Sequence, residues 1–296
     1  MAAPGPRTGR PASAVPLAPS ARELAGALLP RRRPAELPER VVEARGVRAD
    51  PAHLDAWVRV CAARPGARVP GALPGAFTHV LASGASMRLL LDPSFPLPLL
   101  GLVHVAQRLE VVRPVDAREP LDLAVTARDL RPHRRGRQLD VVATAHAAGE
   151  LVWRGTSTYL HREARAPGGP SGTGERAALP EGAVRWEVPA GTGRAYAAVS
   201  GDPNPIHLSR PTARLLGFPR PVAHGMWTLA RALLDLEGRL PDAHDVDARF
   251  LRPLFLPGRA VHGWEATAGR ADGALRLAVR RERDGEPHLL ADVAPR

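Results

Sequence analysis

The sequence predicts an α+β protein built from two similar halves, each an antiparallel sheet wrapped around one apolar helix. Three observations predict it. A Gly/Pro-rich stretch at 164–181, which begins Ala-Arg-Ala-Pro-Gly-Gly-Pro-Ser-Gly-Thr-Gly-Glu, has the composition of a flexible linker and divides the chain. The order of strand-like and helical patterns is the same on both sides of it. In each half a strongly apolar helical pattern precedes four strand-like runs, and a sheet that curls over that helix buries both apolar faces. Two such halves can pair their sheets edge to edge and so remove exposed strand edges.

The elements follow in order. Residues 1–38 are rich in Pro, Ala and Arg with little periodicity, and are expected to be a disordered lead with one short helix, Ser20 to Leu29, capped by Ser20. The N-terminal domain, 39–163, opens with a strand-like run from Arg40 to Val47. Asp50-Pro51 then supplies an N-cap and a first-turn proline for a helix reaching Cys61. Val80 to Leu91 reads as the apolar helix. Strand-like runs follow at Leu102–Val112, Leu121–Asp129, Gln138–Ala147 and Leu151–Leu160. In the C-terminal domain, 182–296, the matching elements are a strand over Ala183–Val188, a helix over Gly193–Ser200 and an apolar helix from His224 to Leu236. The strands there are Val246–Leu251, Arg259–Ala268, Ala274–Arg283 and His288–Val293. Local texture repeats too: Trp57-Val58-Arg59-Val60-Cys61 resembles Tyr196-Ala197-Ala198-Val199-Ser200, and Arg108-Leu109 with Arg113-Pro114 resembles Arg249-Phe250 with Arg252-Pro253.

Composition narrows the function classes. The net charge is +11, but the chain has no lysine, so all 41 basic residues are arginine. With abundant Ala, Gly and Pro, that pattern reads as codon bias from a GC-rich genome. The arginines are scattered and aromatics make up 4%, which leaves few stacking platforms and argues against a nucleic-acid partner. A basic surface favours a polyanionic small molecule or an acidic carrier protein. No apolar run approaches the ~20 residues of a membrane span, and a cytoplasmic protein is expected. The single cysteine, Cys61, rules out an internal disulfide and a cysteine-based zinc site, and its apolar helical setting marks a buried thiol. Gly84-Ala85-Ser86-Met87-Arg88 lacks the last glycine of a hydrolase elbow and lies in an apolar helix.

The informative segment runs Ser200-Gly201-Asp202-Pro203-Asn204-Pro205-Ile206-His207, then Gly217-Phe218 and Val222-Ala223-His224-Gly225-Met226. Asn204 is a favoured N-cap, Pro205 a favoured first helical residue and Gly217 a favoured C′ residue, so 205–216 is predicted as one short helix. Pro203 and Pro205 fix φ on either side of Asn204. Asp202 just before the helix and His207 in its first turn are thereby held near one another, as acid–base work on a water requires. An isolated Asp/His pair of this kind would more often be a cap and a packing residue; the surrounding pattern decides otherwise. His224-Gly225-Met226 opens the apolar helix, whose N–H groups can stabilise an enolate oxygen, and Gly225 lets a substrate approach the backbone.

Ser-Gly-Asp-x-Asn-Pro-Ile-His followed by Gly-Phe and Ala-His-Gly-Met resembles the hydratase-2 motif of MaoC-like dehydratases, the family of (R)-specific enoyl-CoA hydratases and (R)-3-hydroxyacyl-thioester dehydratases. The motif match covers 196–226, and a weaker architectural likeness covers 40–296, since longer members fuse two hot-dog folds. The resemblance implies a double hot-dog fold and a lyase of fatty-acid metabolism. Its substrates would be acyl groups on coenzyme A or on the phosphopantetheine of an acyl carrier protein. No metal or other cofactor is implied, and a homodimer is a family-based expectation. It further implies that Asp202 and His207 activate the water and deliver a proton. Asn204 and Ser200 would support the loop, and the Gly225 N–H would bind the thioester carbonyl. His224 is left between a structural role and substrate contact. Asp202, His207 and His224 also have the residue types of a metal triad, which the family does not use.

The N-terminal half has no Asp-x-Asn-Pro-x-His; the position matching Asp202 falls near Ala63, within a 62–73 stretch that lacks the pair. That half is expected to wall the acyl tunnel and to leave room for a long or branched chain. Arg131 to Arg137 reads as a hairpin loop, either a solvated turn or a landing site for phosphates or an acidic carrier through Arg134 and Arg135. Arg210, Arg220 and Arg252 are equal candidates. A hot-dog thioesterase and a non-catalytic acyl-thioester-binding partner protein are the alternatives; the Asp/His pair argues against both.

Overall fold

The computed structural model describes residues 32–62, 71–162, 183–236, 238–267 and 273–296. The predicted helix Ser20–Leu29, the linker 164–181 and the position near Ala63 lie outside them. Strand β1 (Val41–Val47) leads to helix α1 (Pro51–Cys61), whose first turn is fixed by Asp50: its carboxylate accepts from the Ala52 N–H. The apolar helix begins earlier than periodicity suggested. It consists of α2 (Gly75–Leu81) and α3 (Ser83–Leu91), and Phe77 and Val80 are completely buried. Four long strands follow: β2 (Leu102–Val111), β3 (Leu121–His133), β4 (Gly136–Ala147) and β5 (Glu150–Arg162). Along β3 the buried positions 121, 123, 125 and 127 alternate with more exposed ones, the period of a sheet with one covered face. The Arg131–Arg137 loop is shorter than predicted, because β3 and β4 extend into it and pair as far as His133 and Gly136.

The second half repeats the scheme with β6 (Val184–Val188), α4 (Thr192–Ser200), α5 (Arg210–Leu215), α6 (Gly225–Leu234), β7 (His244–Phe250), β8 (Gly258–Ala266), β9 (Leu275–Arg281) and β10 (Pro287–Pro295). All ten strands form one sheet, ordered β1-β3-β4-β5-β2-β7-β10-β9-β8-β6, with antiparallel pairing throughout. The halves meet at β2 and β7, with Arg108 opposite Asp247. Edge-to-edge pairing therefore occurs, but it leaves β1 and β6 as outer strands instead of removing every edge. Side chains also cross the joint: the Trp227 indole donates to the Val60 carbonyl (2.9 Å), and His53 Nε2 lies 2.6 Å from the Val199 carbonyl.

Each half has an edge-on aromatic pair against its apolar helix. Trp57 of α1 meets Phe77 of α2 edge-on at 5.4 Å, and Trp186 of β6 meets Trp227 of α6 edge-on at 6.0 Å. All four rings are at most 1% exposed, so truncating any one is expected to cost about 3–5 kcal/mol. Cys61 is buried, as expected, and burial pushes its thiol up. Among the described residues no helix is long and apolar enough to cross a membrane.

Candidate active site

The segment after α4 is shaped by its own side chains. Gly201 ends the helix with φ +71°, a left-handed conformation that favours glycine. The Ser200 hydroxyl accepts from the Asp202 N–H (3.3 Å), and the Asp202 carboxylate accepts from the Asn204 N–H (3.1 Å). Asn204 Oδ1 in turn accepts from the Ile206 N–H (3.3 Å). This cap starts only a 3₁₀ turn, Pro205–His207. The predicted single helix over 205–216 is divided, because Ser209 accepts from Thr212 N–H and opens α5 with a second cap. Gly217 follows with φ +84°, as the C′ position demands.

These turns bring together three groups. Asp202, His207 and His224 offer donor atoms that all lie within 4.8 Å of one another. The imidazoles of His207 and His224 stack at 3.6 Å between centroids, tilted by 25°, and both are buried. His207 Nδ1 sits 2.7 Å from the Val222 carbonyl. A carbonyl only accepts, so Nδ1 carries the proton and Nε2 keeps a lone pair. Burial pushes His207 below its ordinary value, against the Asp202 charge and the Val222 bond, which both raise it. His224 is pushed well below its ordinary value by burial and by His207. Its Nε2 is 3.3 Å from the Asp202 carbonyl and 3.8 Å from the Asp202 carboxylate. His224 thus touches both members of the pair.

The group faces a cavity of about 590 Å³ lined by both halves. Gly225, the first residue of α6, lines it too, and its N–H has no partner within the helix. A Cβ there would stand 2.9 Å from Cδ1 of Phe250, so the glycine makes room for an aromatic ring of β7. Met87, Leu90, Leu99 and Leu102 supply apolar wall from the N-terminal half. Arg134, Arg135 and Arg252 line the cavity, joined by Arg162, which sequence reading passed over. Arg134, Arg162 and Arg252 are exposed, which puts them at its opening. Arg252 pairs with Glu286. Arg210 and Arg220 do not line it; the Arg220 guanidinium lies over Phe255 instead.

Two halves of one continuous sheet, each packed on its own apolar helix and together lining an acyl-sized cavity, define a double hot-dog protein. A family model described as "MaoC like domain" matches residues 184–274. The chain is 35% identical to "3-hydroxyacyl-thioester dehydratase X" of Mycobacterium tuberculosis, over 92% of this chain and 95% of that one. It is 27% identical to "Enoyl-CoA hydratase 2, peroxisomal" of Arabidopsis thaliana, over 57% and 59% respectively. The crystal structure of HtdX of M. tuberculosis superposes with a TM-score of 0.74 at 32% identity, covering 87% of this chain and all of that one. The chain belongs to the MaoC-like dehydratase family.

Proposed function

We propose that this chain catalyses the reversible hydration of 2-enoyl thioesters, with (R)-3-hydroxyacyl thioesters as the hydrated partner. One observation carries the acid–base assignment. A neutral His207, oriented by its bond to Val222, presents Nε2 to the same cavity as the Asp202 carboxylate, beside the N-terminus of α6. The pair holds one water. In hydration its hydroxyl adds to C3, its remaining proton passes through the pair to C2, and the enolate charge on the thioester oxygen is met by the Gly225 N–H. In dehydration the same groups take the C2 proton and return it to the departing hydroxyl. Ser200 and Asn204 hold the loop, and His224 braces both reacting residues.

No metal is needed for these steps. Exposed arginines at the opening support a polyanionic carrier, either the phosphates of coenzyme A or an acidic carrier protein. The apolar N-terminal wall supports a long acyl chain.

The test is loss of enone absorbance with crotonyl-CoA and longer 2-enoyl-CoA substrates, with the product's configuration assigned by chiral analysis. Turnover that is unchanged in both Asp202→Asn and His207→Ala would remove the acid–base assignment. Release of free thiol would replace hydration by thioester hydrolysis.

A further inference from the structure

The N-terminal half lacks the Asp-x-Asn-Pro-x-His loop, yet it sends a polar cluster into the cavity. His79 of α2, His104 of β2 and Tyr159 of β5 all line it alongside Asp202. His104 is the centre of the cluster. It stacks on His79 at 6.3 Å (22°) and on Tyr159 at 4.8 Å (26°), and it meets Phe250 edge-on at 4.9 Å. Phe250 is the ring that flanks Gly225, so His104 lies one ring away from the mouth of α6. Its Nε2 is shielded from solvent and has no hydrogen-bond partner among the described residues. An unsatisfied buried nitrogen costs stability that a phenylalanine in the same stack would not. Met87, Leu90 and Leu102 form apolar wall beside the cluster.

We propose that the His79–His104 pair is a substrate-binding element contributed by the N-terminal half, which hydrogen-bonds a neutral oxygen of the acyl group, at C1 or C3. This inference rests on the acyl-thioester reading above. Burial holds His79 at about 4 and His104 at about 3, with the Asp202 charge pulling both upward, so both rings are neutral at physiological pH. One nitrogen of His104 is held by the Ala106 backbone and the Gln107 side chain, which leaves Nε2 to the cavity, and neutral imidazoles suit a carbonyl or hydroxyl and not a carboxylate or phosphate. His104 packs against Phe250, the ring that flanks Gly225, so the contact lies beside the thioester end and not at the far end of the chain.

The experiment compares wild type with His79→Phe, His104→Phe and the double variant. Phenylalanine keeps the stacking and removes the nitrogens. Two constants are read: the inhibition constant of butyryl-CoA, which has only the C1 oxygen, and KM for (R)-3-hydroxybutyryl-CoA. A contact at C1 raises both about tenfold; a contact at C3 raises only the second by that factor, the loss of one ordinary hydrogen bond. His104→Phe also removes the bonds to the Ala106 backbone and Gln107, so its melting temperature is read beside the constants, and a loss confined to stability counts against a binding role. Gln at either position, which restores a donor and an acceptor, is expected to recover part of the binding. If a Phe variant melts early, the Gln and Leu variants at His79 give the same comparison. Wild-type turnover with both constants unmoved in the Phe variants overturns this inference alone. A wild-type chain that neither hydrates crotonyl-CoA nor is inhibited by butyryl-CoA overturns the acyl-thioester reading itself.

Discussion

The two halves start their central helices in the same way and use them differently. Helix α2 begins Gly75-Ala76-Phe77-Thr78 and α6 begins Gly225-Met226-Trp227-Thr228. Each glycine exists because a side chain of the adjoining sheet presses on it: a Cβ at Gly75 would stand 2.7 Å from Val111, and one at Gly225 would stand 2.9 Å from Phe250. Both helices also follow an extended residue, Pro74 in one and His224 in the other. The difference lies before the helix. His224 is stacked on His207 and bonded to the Asp202 loop, while Pro74 has no side-chain donor to offer. Helix, sheet and glycine are common to both halves; the Asp202–His207 loop and His224 belong to one of them.

The sharpest way to break this comparison is to disable the loop. Asp202→Asn and His207→Ala are each expected to lower the hydration rate by about 10²–10⁴ while leaving the melting curve near wild type. The glycines come next. Gly225→Ala forces Phe250 and the start of α6 apart, displaces the N–H proposed to meet the thioester oxygen, and is expected to cost about 10² in kcat. Gly75→Ala meets Val111 and Trp153 in a closed core and is expected to cost about 1–3 kcal/mol in denaturant unfolding with kcat retained. Equal kinetic losses in the two alanine variants would mean that the helix mouths are not functionally distinct.

What the sequence made legible follows from how local each signal is. Asp50-Pro51 marked α1 to the residue, and Asp202, Asn204 and His207 could be placed in one loop because the hydrogen bonds that shape it span two positions. The division of 205–216 was missed, although Ser209-Arg210-Pro211-Thr212 contains a second cap signal of the same kind as Asn204-Pro205. The early start of α2 was also missed, since the Gly-x-Phe-Thr match to Gly-x-Trp-Thr shows only when the halves are aligned. His79, His104 and Tyr159 were out of reach for a different reason. That they face Asp202 depends on the β2–β7 register and on the packing of α2 against α6, which no local pattern encodes.

Acid tests the shared interior. His79, His104 and His288 are held by burial at about 4, about 3 and about 4, below the ordinary histidine value near 6.5. Above about pH 6.5 both folded and unfolded states carry these rings neutral, so they add no pH dependence. As pH falls below that value the unfolded chain takes up protons that the folded chain refuses, and folding is progressively penalised down to the folded values. The melting temperature is therefore expected to drop between pH 6.5 and 4. His104→Phe, which removes one such ring from the N-terminal half, is expected to flatten part of that drop. An unchanged slope would put the acid-sensitive groups elsewhere.

The smallest effect is expected at the opening, where the N-terminal half contributes Arg134 and Arg135 and the C-terminal half Arg252. Exposed ion pairs are weak singly and are screened by salt, so Arg134→Glu with Arg135→Glu is expected to raise KM for an enoyl-CoA by about three- to tenfold at low ionic strength. That penalty should fade in high salt and leave kcat unchanged. An N-acetylcysteamine thioester has the same acyl group without phosphates, so its kinetics should not respond to the substitutions. Arg210→Glu, outside the cavity, should leave both substrates unaffected. A penalty confined to an acyl carrier protein substrate would assign the opening to protein docking, and one shared with coenzyme A thioesters would assign it to phosphate binding. In either case the N-terminal half would hold the carrier while the C-terminal loop acts on the acyl group.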